Sequence, residues 1–344
     1  MNVSRRGFLA GSALTAGLVG LAGCSANGAA TGTADPLAAP AADKYPIEPD
    51  KEGTAAKWSS EEIRDGWTRV TNQDGGATIG VADEARIIQV DGYAFRDMDG
   101  DGKLSLFEDW RQSADDRAAD LASQLTGEEC VQLMWHGGVQ AVADKPGSKV
   151  DANDTSLLDK GSCAGVSRLG GDGDSYATVI KWINDIQTKC EARPHGIPYI
   201  CSVDPYATLG IPSTVGLAPA MDKDLWRKAG MWIGRAWSSI GVRCELGPQI
   251  DLYTDPTVAR LNGAETEDPA LARDFTRAFA GGMQSTWGDD EATDDQGWGK
   301  DSVATMLKHF VGAGAIEGGR NDHGDTGKFD VFPGDNYQAH LIPF

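Results

Sequence analysis

The chain has 344 residues, 40% of them hydrophobic, enough for one large domain or two small ones. Its 31 Lys and Arg stand against 51 Asp and Glu, a formal net charge of −20. That balance lacks the basic face a nucleic-acid partner demands, and it suits a soluble protein with a neutral ligand.

The chain opens on Ser4-Arg5-Arg6-Gly7-Phe8-Leu9, a twin-arginine export pattern followed by an apolar run through Leu21. Leu21-Ala22-Gly23-Cys24 resembles a bacterial lipobox, whose Cys is acylated after cleavage. The run is rich in glycine and barely long enough to span a bilayer, so residues 1–24 read as a lipoprotein signal rather than a membrane helix. The expected location is the outer face of the cytoplasmic membrane, with the lipid on Cys24. Residues 25–50 are rich in Ala, Gly, Thr and Pro and read as a flexible tether. Cys130, Cys163, Cys190, Cys201 and Cys244 remain; they form no C-x-x-C pair, and their odd number leaves at least one thiol free.

Residues 51–115 read as an N-terminal arm. A short helix is predicted over 58–70, with Ser59 and Glu62 spaced as a capping box. Residues 86–96 alternate (Ile87, Ile88, Val90, Tyr93, Phe95) and read as extended. The next twelve residues match an EF-hand loop position by position. Asp97, Asp99 and Asp101 supply the first acidic oxygens, Gly102 the sharp turn, Lys103 a backbone carbonyl, Ser105 the ninth position and Glu108 the twelfth. Calcium needs about six to eight oxygens converging on one ion, which this spacing provides. The alternative is an Asp/Gly turn without metal. No paired-sensor helices flank the loop, so a structural Ca²⁺ that pins the arm to the following domain is expected.

From about residue 160 onward strands and helices alternate. Helices are predicted over 114–124, from Thr126 (a second capping box with Glu129), over 176–190, after Asp222, and after Asp268-Pro269. Strands are predicted over 164–166, 197–203, 242–252 and 303–310, and the tail over 330–344 reads as a loop and the start of a helix. Such units argue for a parallel α/β architecture. Polar residues collect at the strand ends: Asp204, Asp251 with Asp255, and Lys308-His309. A (β/α)8 barrel and a doubly wound sheet both place a site there. No G-x-G-x-x-G follows the first strand, which disfavours the second. About five of the eight strands of a barrel are countable, so the fold expected for 116–344 is an incomplete (β/α)8 TIM barrel.

Asp204, Arg260, Lys308 and His309 are the side-chain types that grip sugar hydroxyls, since carboxylates accept from two at once and the cations donate. Taken singly, each has a bland alternative as a turn cap or an ion pair. Their setting is more specific: Ile197-Pro198-Tyr199-Ile200-Cys201-Ser202-Val203-Asp204, Leu246-Gly247-Pro248-Gln249-Ile250-Asp251-Leu252, Asp255-Pro256, Glu267-Asp268-Pro269 and Lys308-His309-Phe310 with Gly318-Gly319-Arg320. In order and type these segments resemble the N-terminal barrel of glycoside hydrolase family 3, over roughly residues 93–344. Thr257-Val258-Ala259 stands where that family has Arg-Trp-Gly, and Gly263 where it commonly has an acid.

The resemblance implies a β-glucosidase-like, retaining exo-glycosidase in which Asp204, Arg260, Lys308 and His309 bind the first sugar. It also implies an Asp nucleophile in a Ser-Asp-Trp-like strand, a motif these 344 residues do not contain. One branch of the family uses a loop His as general acid/base, and His323 in Asn321-Asp322-His323 holds that place; a solvated loop His is the alternative. The expected partners are a glycoside or oligosaccharide, the membrane through the lipid, and a second chain supplying the rest of the barrel, with no nucleic acid. Two further readings remain at this point: a non-catalytic, calcium-stabilised sugar-binding lipoprotein, and a fragment without activity.

Overall fold

The computed structural model describes residues 44–138, 161, 163–166, 176–204, 212, 214–258, 263–286, 295–321, 323–324 and 326–344. The predicted signal, Cys24, most of the tether and Arg260 lie outside these residues. Among the described residues no helix is long and apolar enough to cross a membrane.

The arm is built from hairpins. Strands β1 (Trp58–Glu62), β2 (Thr68–Asn72) and β3 (Thr78–Val81) form an antiparallel sheet in chain order. The helix predicted over 58–70 is therefore wrong. Asp65 and Gly66 both take positive φ (60° and 80°), and the Trp67 amide donates to the Arg64 carbonyl at 3.2 Å. That two-residue turn matches strand twist, so Asp-Gly closes a hairpin where a capping box suggested a helix. Along β2 the residues alternate between buried and exposed, the period of a strand. Strands β4 (Ile87–Val90) and β5 (Tyr93–Arg96) repeat the device around Asp91-Gly92, so the extended reading of 86–96 holds with a turn inside it. Phe95 stacks on Trp110 with ring centroids 5.1 Å apart, over buried Val90 and Leu104. Buried Glu191 ties the arm to the main domain: it accepts from the Ala82 and Asp83 amides at 2.9 and 3.0 Å and lies 3.6 Å from Arg96.

Helices α1 (Ala114–Gln124) and α2 (Gly127–Met134) start as predicted, at the Ser113 cap and the Thr126–Glu129 capping box. The main sheet then runs β6 (His136–Gly138), β7 (Ala164–Val166), β8 (Ile200–Val203), β9 (Cys244–Glu245) and β10 (Ala304–Thr305). All five strands are parallel and neighbours in chain order. β6 was not predicted, because a three-residue strand with two glycines carries no hydrophobic pattern. The crossovers carry α3 (Tyr176–Glu191), a single turn α4 (Thr214–Leu217), α5 (Lys223–Ser239) and α6 (Pro269–Gln284), with α7 (Tyr337–Leu341) near the C-terminus. Asp222 and Asp268 cap α5 and α6 through their carboxylates, as expected.

Two observations separate a barrel from a doubly wound sheet. Strand order never reverses, whereas a doubly wound sheet reverses at its switch point. Among the described residues the helices pack on one face. Ile183, Ile186, Trp226, Trp237, Phe275 and Phe279 from the helices pack with Cys201, Val203, Val242 and Val303 of the sheet. On the opposite face Ile200 is 47% exposed and Met306 44%, while Ser202 is buried beside His136. Among the described residues this is a partial (β/α)8 wall whose lumen side is partly exposed.

α5 and α6 touch backbone to backbone. A Cβ on Gly230 would lie 2.2 Å from the Phe279 carbonyl, and one on Gly282 would lie 2.1 Å from that of Arg227. Trp226 then stacks on Phe275 at 4.7 Å.

The strands predicted over 242–252 and 303–310 are shorter than expected. β9 and β10 pair at Glu245↔Thr305, part, and meet again at the bridge Gln249↔Lys308. Three residues intervene on one side and two on the other, which makes a bulge. Pro248 has no amide to give to a ladder. The bulge re-aims Lys308 at the C-terminal rim of the sheet.

Candidate active site

Asp204 follows directly on β8, and Lys308 comes off the bulge two strands away. The Lys308 ammonium lies 2.5 Å from Asp204 Oδ1. The lysine is 15% exposed and the aspartate 53%, so the cation is anchored and the carboxylate faces solvent. The next residue forms a second pair. Asp251, its side chain 1% exposed, accepts from the His309 amide at 3.0 Å and meets His309 Nδ1 at 2.8 Å. That contact keeps a proton on Nδ1 and fixes the ring plane. The predicted cluster is thus a carboxylate–ammonium pair, Asp204–Lys308, beside a carboxylate–imidazole pair, Asp251–His309, at adjacent positions of one rim.

Other predicted members stand elsewhere. Asp255 is spent on a local turn: its carboxylate accepts from the Thr257 amide and hydroxyl at 2.8 and 2.6 Å, and these bonds lower its pKa. His323 is exposed, with its amide 2.9 Å and its Nδ1 3.1 Å from Asn321 Oδ1. Asn321 therefore orients the ring with a neutral amide oxygen rather than a carboxylate.

Sequence reasoning missed Glu245, the last residue of β9. It is 1% exposed, and its Oε2 accepts from Trp237 Nε1 at 2.8 Å. Burial pushes its pKa up to about 7; the Trp237 bond and the Lys308 charge oppose the rise, and the Asp204 charge adds to it. The available signal was an acid inside the apolar run 242–252. Glu265, also buried, is pushed well above the usual carboxyl range by burial, and the Thr276 hydroxyl opposes this without cancelling it.

In the arm, oxygens of Asp97, Asp99 and Glu108 lie within 4.8 Å of one another. Asp97 is held by the Gly100 and Gly102 amides at 2.6 and 3.0 Å. Glu108 accepts from the Met98 and Asp99 amides at 2.6 and 3.2 Å, and from Ser105 at 2.9 Å. Burial pushes the Glu108 pKa up to about 7, against those amide bonds and with the help of the Asp99 charge. Three converging hard oxygens on two buried residues and one half-buried residue are a donor set that fits a divalent cation. Asp101 is exposed, and its carboxylate accepts from the Lys103 amide at 2.8 Å.

The profile of the Glycosyl hydrolase family 3 N terminal domain matches residues 125–344. A periplasmic β-glucosidase/β-xylosidase of Dickeya chrysanthemi is 33% identical over 76% of this chain and 41% of its own length. β-Glucosidase C of Emericella nidulans is 28% identical over 70% of this chain and 40% of its own. A solved β-glucosidase from Erythrobacter marinus aligns over 62% of this chain and 28% of that one, with TM-score 0.49 and 23% identity. The chain therefore spans about two fifths of the length of these two curated relatives. Through its parallel strand-helix domain, it belongs to glycosyl hydrolase family 3.

Proposed function

We propose that this chain supplies the glycone-binding wall of a β-glucosidase-like exo-glycosidase. The observation that carries the reading is the Asp204–Lys308 pair beside Asp251–His309 on one sheet rim. An exposed carboxylate next to an anchored ammonium accepts from one sugar hydroxyl and donates to another. The fixed imidazole of His309 adds a third contact, and Arg260, in the loop after Asp255, a fourth. The relatives named above act on β-glucosides and β-xylosides, and that pyranoside class is the proposed substrate.

Retention requires a nucleophile and an acid/base about 5 Å apart. With no Ser-Asp-Trp-like strand in these 344 residues, the nucleophile comes from sequence beyond them. The exposure of Ile200 and Met306 on the lumen side supports further barrel strands lying against it, from the same or a second polypeptide. His323 is proposed as the general acid/base. The test is titration of this chain with D-glucose and D-xylose by calorimetry, beside an assay on nitrophenyl β-glycosides. Binding that disappears in Lys308→Ala, without turnover, is the expected result. Turnover by this chain alone overturns the assignment of the nucleophile, and binding indifferent to Lys308 overturns the site.

Two further assignments belong to the same reading. Loop 97–108 takes a structural Ca²⁺ through Asp97, Asp99, Asp101, the Lys103 carbonyl, Ser105 and Glu108; calorimetry on chelator-treated protein without a calcium isotherm ends that idea. Export follows from Ser4-Arg5-Arg6 and is in keeping with the relative's periplasmic name, with Cys24 as the lipid attachment. Mass spectrometry of the membrane fraction, with and without Cys24→Ser, tests the anchor.

A further inference from the structure

The three strands that frame the sugar-binding rim share one buried acid. Glu245 ends the middle strand, paired with Val203 on one side and Thr305 on the other. Asp204 is the residue after Val203, and Lys308 leaves the bulge that begins at Thr305. Glu245 is 1% exposed, on the Trp237 side of the sheet, and near enough to the pair for the Lys308 and Asp204 charges to act on it. Its Oε2 is engaged by Trp237, and its Oε1 has no hydrogen-bond partner among the described residues. A buried carboxyl oxygen left without a partner costs stability unless another state of the molecule uses it. The charged and titratable groups that reach Glu245 are Lys308, Asp204 and the adjacent Cys244 thiol. Trp237 of α5 is neutral. From β10 and α6, Thr305 and Gln284 bond to each other at 2.8 Å.

We propose that Glu245 is a positioning residue for the glycone site, a second acceptor that takes over the Lys308 charge when Asp204 turns to the sugar hydroxyls. This rests on the reading of Asp204 and Lys308 as sugar ligands. With the site empty, Lys308 is neutralised by Asp204, and Glu245 has no reason to ionise in its dry setting. When a sugar draws the Asp204 oxygens outward, the anchored ammonium lacks its counter-charge. Glu245 lies within range of that charge and has an oxygen to spare. It then loses its proton to solvent and holds Lys308 at the rim. The carboxyl is poised for this, because burial already places its pKa near neutrality. Binding therefore releases a proton, and affinity rises with pH.

The probe is D-glucose, titrated calorimetrically into the protein at about pH 6.5 in two buffers of different ionisation enthalpy, then from about pH 5.5 to about pH 8.5. The expected result is net release of a fraction of one proton. Affinity should rise with pH, up to about tenfold for each unit by which the sugar lowers the Glu245 pKa. Glu245→Gln should still bind at low pH, release no proton and lose the pH dependence; Glu245→Asp should restore part of it. Absence of binding at every pH would count against the sugar-site reading itself. Binding without proton release, or with unchanged pH dependence in Glu245→Gln, overturns the role of Glu245 alone. If Glu245→Gln does not fold, the wild-type proton count still decides.

Discussion

Lys308 and Asp204 are 104 residues apart in sequence and meet at 2.5 Å across the rim of the sheet. Three things make that contact: parallel registration of β8, β9 and β10, a bulge after Thr305, and the largely buried stem of the lysine. The pair is preformed, so a ligand need not order two long side chains on arrival. Lys308→Ala should weaken sugar binding about ten- to a hundredfold, the usual loss for a hydrogen bond to a charged group. Asp204→Asn should do the same while leaving the melting temperature almost unchanged, because Asp204 is half exposed. Calorimetric titration and thermal melts separate the two effects.

The rim was legible from sequence because each of its members follows an apolar run, and strand ends are where such a sheet gathers a site. The partners were not. Nothing in the spacing of Asp251 says that it clamps His309 through both amide and ring, since that depends on register across two irregular segments. The arm shows the reverse failure. Ser59 and Glu62 have the chemistry of a helix start, but Asp65-Gly66 has the chemistry of a hairpin turn, and the alternating burial of β2 decided the contest. β6 was unreadable, since its pairing with Ala164–Val166, not its own residues, makes it a strand.

Glu245 also predicts a pH dependence of stability. Its folded pKa is raised from the usual 4.5 to about 7, so between those values the unfolded chain has released a proton that the folded chain still holds. Stability from this group is unchanged below about pH 4.5, falls as pH rises towards 7, and is constant above. The full loss is about 3 kcal/mol. Glu245→Gln should keep the Trp237 bond and flatten that part of the curve. Urea unfolding at a series of pH values is the measurement.

Calcium affinity should fall with acid in the opposite sense. The Glu108 carboxyl, raised to about 7, carries a proton below that value, and a metal must displace it. Affinity should drop by up to about tenfold for each pH unit below 7 and level off above it. Calorimetric titrations with CaCl₂ over that range check the slope. Glu108→Gln should remove both the slope and most of the binding.

The contact between α5 and α6 sets a steric test. A methyl at Gly230 would overlap the Phe279 carbonyl, which belongs to helical backbone and cannot swing aside as a flexible side chain does. Gly230→Ala should therefore destabilise the fold by about 1–3 kcal/mol despite its better helix propensity. Gly281→Ala is the control one turn of thought away: nothing lies within 4 Å of its would-be Cβ, so propensity alone acts and stability should hold or rise. Chemical denaturation of the two variants decides.

His323 is the remaining candidate for proton transfer. Its ring is already oriented, with Nδ1 3.1 Å from Asn321 Oδ1. An amide oxygen fixes the ring but does not stabilise an imidazolium as a carboxylate would. In the enzyme with its barrel complete, His323→Ala should lower kcat by about 10²–10⁴ and leave KM within a few-fold, the pattern of a group that acts in the transition state alone. Asn321→Ala should release the ring and lower kcat less. Asn321→Asp, which supplies an anionic partner, should raise it. Steady-state kinetics on a nitrophenyl β-glucoside distinguish these outcomes, and an unchanged kcat in His323→Ala removes the residue from the mechanism.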